Sequence, residues 1–181
     1  TPSSAASDVY KRQPPDDGIN RKYSIARIDN DIILSVKWHP KGICSTFLST
    51  LKENDILSAS IEINSDFHFP KKATSVWFIS NGTGIAPFIG MINENIDIPK
   101  KLLWGGRTKA SFDCYSEKLD SSFLKSKNYK LAFSQETNKS YVQDILMKQK
   151  KDVVKTIKEG GIFMLCGSLS MQNAVLDTLE K

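Results

Sequence analysis

The segment that most constrains this chain is Val76-Trp77-Phe78-Ile79-Ser80-Asn81-Gly82-Thr83-Gly84-Ile85-Ala86-Pro87-Phe88. A short apolar run bounded by a glycine turn reads as a buried strand. The turn feeds a helix that opens on Pro87, where the missing N–H costs nothing. Gly82 and Gly84 let the backbone turn sharply and come close to a ligand. Backbone N–H groups at such a helix start, together with the helix dipole, favour an anion. The local pattern leaves two readings open, an ordinary strand–helix corner and a phosphate cradle. The spacing Gly-x-Gly-x-x-Pro puts proline where the usual dinucleotide fingerprint has a third glycine. No Gly-x-x-x-x-Gly-Lys-Ser/Thr occurs, which excludes a P-loop.

The rest of the chain fits a globular domain that handles an anionic small molecule. With 181 residues, 40% hydrophobic and 25% charged, it is long enough to bury a core. No run approaches the roughly 20 apolar residues of a membrane span. Cys44, Cys114 and Cys166 are odd in number and far apart. That usage speaks for a reducing, cytoplasmic setting and against a disulfide framework. With His39 and His68 the only histidines, no metal centre is expected. The net charge of +5 comes from dispersed lysines and a local run at Lys148, Lys150 and Lys151. Without a basic stripe or interleaved aromatics, a nucleic-acid module is not expected.

Residues 1–20 read as a disordered or non-native tail, rich in serine and alanine and then Pro14-Pro15-Asp16-Asp17-Gly18. Its 7–13 stretch resembles translated adaptor sequence. Residues 21–72 read as β-rich, with Lys22–Ile28 and Asp31–Lys37 pairing across Asp29-Asn30. A helix is expected over Ser45–Leu51 with a serine or threonine cap, and a strand over Ile56–Ile63. Pro70-Lys71-Lys72 marks a linker. From residue 73 strands are expected at 75–80, 101–105, 129–133 and 161–166. Helices are expected near 87–94, 114–124, 141–158 and 170–180. This alternation implies βαβ units and a parallel sheet covered on both faces. Ligands bind such sheets beyond the carboxyl ends of the strands, so 82–87, 105–107, 134–135 and 166–168 should share one rim.

Several separated motifs, in one order, resemble the ferredoxin–NADP reductase superfamily and most of all its diflavin reductase branch, which includes the sulfite reductase flavoprotein and cytochrome P450 reductase. Arg21-Lys22-Tyr23-Ser24 is similar to the family's Arg-x-Tyr-Ser/Thr flavin motif. The chemistry suits it: arginine pairs with pyrophosphate, an aromatic ring stacks on isoalloxazine, and a hydroxyl reaches the flavin. The resemblance therefore implies that Arg21, Tyr23 and Ser24 bind FAD, with Ser24 assisting hydride transfer. Gly42-Ile43-Cys44-Ser45-Thr46 resembles the second FAD segment, and Gly82, Thr83 and Gly84 fall where the family holds the pyridine nucleotide.

Leu102-Leu103-Trp104-Gly105-Gly106-Arg107 is similar to the segment whose arginine meets that nucleotide. Ser134, Lys139, Tyr141 and Gln143 match the positions that bind the adenosine 2′-phosphate. Gln135 stands where close relatives carry arginine, and it offers no bidentate cationic contact. NADPH is the expected donor, through Lys139, with NADH the alternative. Leu165-Cys166-Gly167-Ser168 resembles a family Val-Cys-Gly-Asp, which implies that Cys166 lies beside the nicotinamide and assists hydride transfer. Ser168 replaces the aspartate.

The fold class expected from the resemblance is an α/β Rossmann-like NADP-binding domain at 73–181, preceded by an incomplete antiparallel β-barrel FAD-binding domain at 21–72. The implied activity passes a hydride from NADPH to FAD and electrons onward to a flavodoxin-like FMN domain or another carrier. The family's upstream barrel strands, helical insert and FMN domain, and its closing aromatic residue, have no counterpart here. The sequence is therefore expected to be a fragment, and the full-length protein could be membrane-tethered. The alternative is a truncated NADP(H)-binding module without flavin or turnover.

Overall fold

The structure, a computed structural model, describes residues 9–12 and 21–181. The hairpin over Asp29-Asn30 forms where the sequence places it. Arg21–Ile28 (β2) pairs antiparallel with Asp31–Leu34 (β3), Ile28 opposite Asp31. Asp29 sits at φ 52°, a left-handed conformation that aspartate tolerates better than most residues. Within the segment expected to be a tail, Val9–Arg12 forms a strand (β1). It pairs antiparallel with β2, Val9 opposite Ser24, and with Ser60–Glu62 (β4). The reason is backbone satisfaction: the Arg21–Ser24 half of β2 has no partner in β3, and β1 completes its ladder. The remainder of the expected tail lies outside the described residues.

This first sheet has the order β3-β2-β1-β4. Two local expectations for it are corrected. The strand expected over 56–63 shrinks to Ser60–Glu62, because only those residues find a ladder partner in β1, and Ile56 and Ile63 stay exposed. The helix expected from Ser45 begins earlier, at Ile43–Thr50 (α1), with Gly42 as N-cap and no side-chain capping bond. Ser45 is instead turned back on the preceding turn. Its Oγ donates to the Gly42 carbonyl at 3.1 Å and accepts from the His39 amide at 3.1 Å.

The second sheet is parallel, with the order β7-β6-β5-β8. Its strands are Val76–Asn81 (β5), Lys100–Gly106 (β6), Tyr129–Phe133 (β7) and Ile162–Cys166 (β8). β5 is central and buried on both faces, which is why its sequence is a continuous apolar run. Val76, Phe78, Leu102 and Trp104 pack on one face against Ala86–Asn93 (α2), Ala110–Ser116 (α3) and Ser121–Ser126 (α4). Ala26 of β2 joins the same core, so the two sheets share packing. Trp77, Ile79 and Leu103 pack on the other face against Val142–Lys148 (α5), Lys150–Lys158 (α6) and Leu169–Leu179 (α7).

The helix expected near 114–124 is two helices. Asp120 caps the second, accepting from the Phe123 amide at 2.9 Å, and a cap requires the chain to leave the helix before it. The span 141–158 is likewise broken at Gln149, whose φ of −103° departs from helix and whose side chain accepts from Lys101 at 3.0 Å.

Candidate functional site

The parallel register aligns the carboxyl ends of the strands. Asn81 lies opposite Gly105, Ser80 opposite Cys166, and Gly106 opposite Phe133. Beyond β5 the chain makes a 3-10 turn, Gly82–Ile85, before α2 opens with Pro87 in its first turn. The two glycines of the turn do different work. Gly82 has φ 51°, and a Cβ there would stand in open space, so glycine serves the backbone conformation. A Cβ on Gly84 would collide with the Cys166 carbonyl oxygen and lie 2.7 Å from the Gly167 Cα, so glycine serves close approach to β8. Buried Trp104 fixes the turn from β6, its Nε1 donating to the Gly82 carbonyl at 3.0 Å. Asn81 joins the turn to α7. Its Oδ1 accepts from the Ser168 amide at 2.9 Å, and its Nδ2 donates to Ser168 Oγ at 3.0 Å.

These ends border a cleft of about 610 Å³. Among the residues expected at the nucleotide, Gly82, Thr83, Arg107, Ser134, Tyr141 and Gln143 line it. Gly84 is buried within the turn. Gln135 and Lys139 stand beside the lining. The Gln135 amide donates to the Arg107 carbonyl at 2.9 Å, and the Ser134 amide donates to the Gly106 carbonyl at 3.0 Å, which folds this loop onto the end of β6. Lys139 Nζ lies 5.4 Å from the Tyr141 ring centre. The Tyr141 amide donates to Asp144 Oδ2 at 2.8 Å, starting α5.

Arg21, Tyr23 and Ser24 lie together along β2, while Gly42, Ile43, Cys44, Ser45 and Thr46 form the first turn of α1. The first amides of a helix have no carbonyl partner within it, so this turn can receive a phosphate. Tyr23 packs beside buried Ile25. The two groups of expected residues approach each other where Ser24 of β2 neighbours Cys166 at the end of β8. Burial pushes the Cys166 thiol up from its ordinary range, opposed by the neighbouring Ser24 hydroxyl. The thiol therefore stays protonated at neutral pH.

The cleft lining that was not anticipated includes Val36, Lys37, Asn81 and Tyr115. Asn81 was legible as the last strand residue before the glycine turn. The others depend on a long-range contact that no local pattern encodes. Tyr115 OH and Ser35 Oγ are hydrogen-bonded at 2.9 Å, bringing the segment after β3 to the cleft wall. Burial pushes the Tyr115 phenol up, opposed by that bond. Among the described residues no cluster of His, Cys, Asp and Glu could hold a metal, and no helix is long and apolar enough to cross a membrane.

A parallel sheet whose carboxyl rim carries a glycine turn, an arginine and a serine–tyrosine loop defines a dinucleotide-binding α/β domain. The family model for the oxidoreductase NAD-binding domain matches residues 78–177, and the chain belongs to that family. It is 32% identical to the sulfite reductase [NADPH] flavoprotein alpha-component of Buchnera aphidicola, over 88% of this chain and 31% of that protein. It is also 32% identical to a bifunctional cytochrome P450/NADPH–P450 reductase of Fusarium oxysporum, over 75% of this chain and 14% of that protein. The chain thus spans under a third of the length of these relatives. The fold is that of ferredoxin-NADP+ reductase: the Plasmodium falciparum enzyme with 2'P-AMP matches with a TM-score of 0.70 at 23% identity, over 97% of this chain and 79% of that one.

Proposed function

We propose that this chain is the part of an NADPH-dependent flavoprotein reductase in which NADPH meets FAD. The observation that carries the reading is the packing of β2, the strand bearing the flavin motif, onto the nucleotide domain: Ala26 is buried in its core and Ser24 neighbours Cys166 at the end of β8. Nicotinamide supplies a hydride and flavin takes up the electron pair, which it can release singly.

The residues divide the work of holding these groups. The Gly82–Thr83 turn presents backbone N–H groups to the dinucleotide phosphates, with Arg107 adding positive charge from β6. Ser134, Tyr141 and Gln143 hold the adenosine end, with Lys139 as the cation for a 2′-phosphate and Gln135 as a neutral neighbour. The NADPH in the relatives' names, and the 2'P-AMP bound to the Plasmodium enzyme, favour the phosphorylated dinucleotide. On the other side, Arg21 and the first turn of α1 suit the FAD pyrophosphate, and Tyr23 suits stacking on the flavin ring. Ser24 and Cys166 are both neutral at pH 7. They orient the reacting rings by hydrogen bonding and leave no fixed charge to oppose hydride movement.

The proposed units are residues 21–72 for flavin and 73–181 for the dinucleotide. The onward acceptor is an FMN domain or another one-electron carrier. The test is to reconstitute the purified chain with FAD, remove excess cofactor, and add NADPH without oxygen. Retained flavin colour that NADPH bleaches is the expected result. A chain that binds NADPH but retains no flavin is instead a nucleotide-binding module.

A further inference from the structure

We propose that Tyr115 is a positioning residue that couples the two cofactor sites: its hydrogen bond to Ser35 seats the segment 35–42, so that FAD held at the start of α1 tightens the dinucleotide cleft. The inference rests on the proposed reading of both sites and concerns how one responds to the other.

The segment belongs to both sites. It leaves the ladder after Leu34, the last residue of β3, and runs to Gly42, the N-cap of α1. Near its start Val36 lines the dinucleotide cleft. Its end opens the first turn of α1, the turn suited to the FAD pyrophosphate. Residues 37–41 between are exposed, and a side-chain tie stands at each end. At the far end Ser45 Oγ accepts from the His39 amide and donates to the Gly42 carbonyl, both at 3.1 Å, so the segment moves with the α1 turn. At the near end Ser35 Oγ and Tyr115 OH are hydrogen-bonded at 2.9 Å.

Tyr115 is the fixed point of this arrangement. It stands on α3 and lies edge-on to Trp104, ring centres 5.7 Å apart. Buried Trp104 in turn donates its Nε1–H to the Gly82 carbonyl at 3.0 Å. The phenol is half-buried, and a hydroxyl drawn out of water needs a partner, which Ser35 supplies. The contacts Ser35–Tyr115–Trp104–Gly82 thus reference the Val36 wall of the cleft to the glycine turn that bears the dinucleotide phosphates.

FAD on the α1 turn orders the segment from its far end, and the Ser35–Tyr115 bond passes that order to the cleft wall. A dinucleotide then meets a wall that it no longer has to order itself, and binds more tightly. Linkage makes the effect reciprocal, so NADP+ tightens FAD by the same factor. A single neutral hydrogen bond limits the coupling to about 3- to 10-fold.

The test measures NADP+ dissociation constants by calorimetry, without FAD and with FAD at saturation, for the wild-type chain, Tyr115→Phe, Ser35→Ala and the double variant. Tyr115→Phe keeps the ring against Trp104 and removes the hydroxyl alone. FAD should tighten NADP+ by about 3- to 10-fold in wild type, and that ratio should fall to near one in each single variant. The double variant should lose no more coupling than either single, because both changes break one bond. Coupling that survives in Tyr115→Phe, or losses that add in the double variant, would overturn the proposal. So would a wild-type chain that binds the two ligands independently, an outcome that leaves both sites as proposed. A wild-type chain that takes up no FAD instead removes the flavin reading, and the coupling with it.

Discussion

Alanine at the two turn glycines separates two physical causes within one motif. At Gly84 the added Cβ meets backbone, namely the Cys166 carbonyl and the Gly167 Cα at 2.7 Å, so no side-chain rotation relieves it. The end of β8 must move, and forced overpacking of this kind costs about 2–3 kcal/mol. At Gly82 the Cβ meets nothing within 4 Å, and the cost is the left-handed backbone alone, about 1 kcal/mol. For a chain of this size each kcal/mol lowers the melting temperature by about 2–4 °C. Gly84→Ala should therefore lose roughly 5–10 °C and Gly82→Ala roughly 2–4 °C in calorimetric melts. Gly84→Ala should also disturb Cys166, so its thiol should alkylate faster than in wild type, whereas Gly82→Ala should leave that rate unchanged. Equal melting losses for the two variants, or a Gly84→Ala melt matching wild type, would refute this division of roles.

Two further outcomes follow from the same rim. Gln135→Arg adds a bidentate cation beside Ser134 and should raise the ratio of NADPH to NADH affinity about tenfold, read by fluorescence titration; an unchanged ratio would displace the adenosine site from this loop. Exposed Cys114 should alkylate before Cys166, and Ser24→Ala, by removing the hydroxyl that opposes the effect of burial, should slow Cys166 further at pH 8. Because the folded Cys166 pKa is raised, its contribution to stability is present below the free-thiol value of about 8.5 and is lost as pH rises through the folded value. The melting advantage of wild type over Cys166→Ser should accordingly shrink in alkaline buffer.

What the sequence made legible is what local pattern encodes. The β5 run of Val76–Ile79 is apolar without alternation because both its faces are covered, and this marks a central parallel strand from sequence alone. The rim followed, since strands of one parallel sheet end together. Helix boundaries were less legible because caps compete. Ser45 looks like an N-cap, yet its hydroxyl has a better use bonding Gly42 and His39. Gln149 breaks a helix-favouring stretch because Lys101, far away in sequence, reaches its side chain. Val9–Arg12 has tail-like neighbours and still pairs, because β2 offers an open ladder edge. Lys37 was invisible for the same reason: only the Ser35–Tyr115 bond, 80 residues apart, brings it to the cleft.

The central claim is that the nucleotide cleft and the flavin strand meet at Ser24 and Cys166. Backbone amide shifts on titration with NADP+ and, separately, with FAD test it most directly. NADP+ should move the amides of Gly82, Thr83, Arg107, Ser134 and Tyr141, FAD should move those of Arg21, Tyr23 and Cys44, and Ser24 and Cys166 should respond to both. Shifts from NADP+ confined to the opposite edge of the sheet, at Ser75, Lys100 and Gly161, would contradict it.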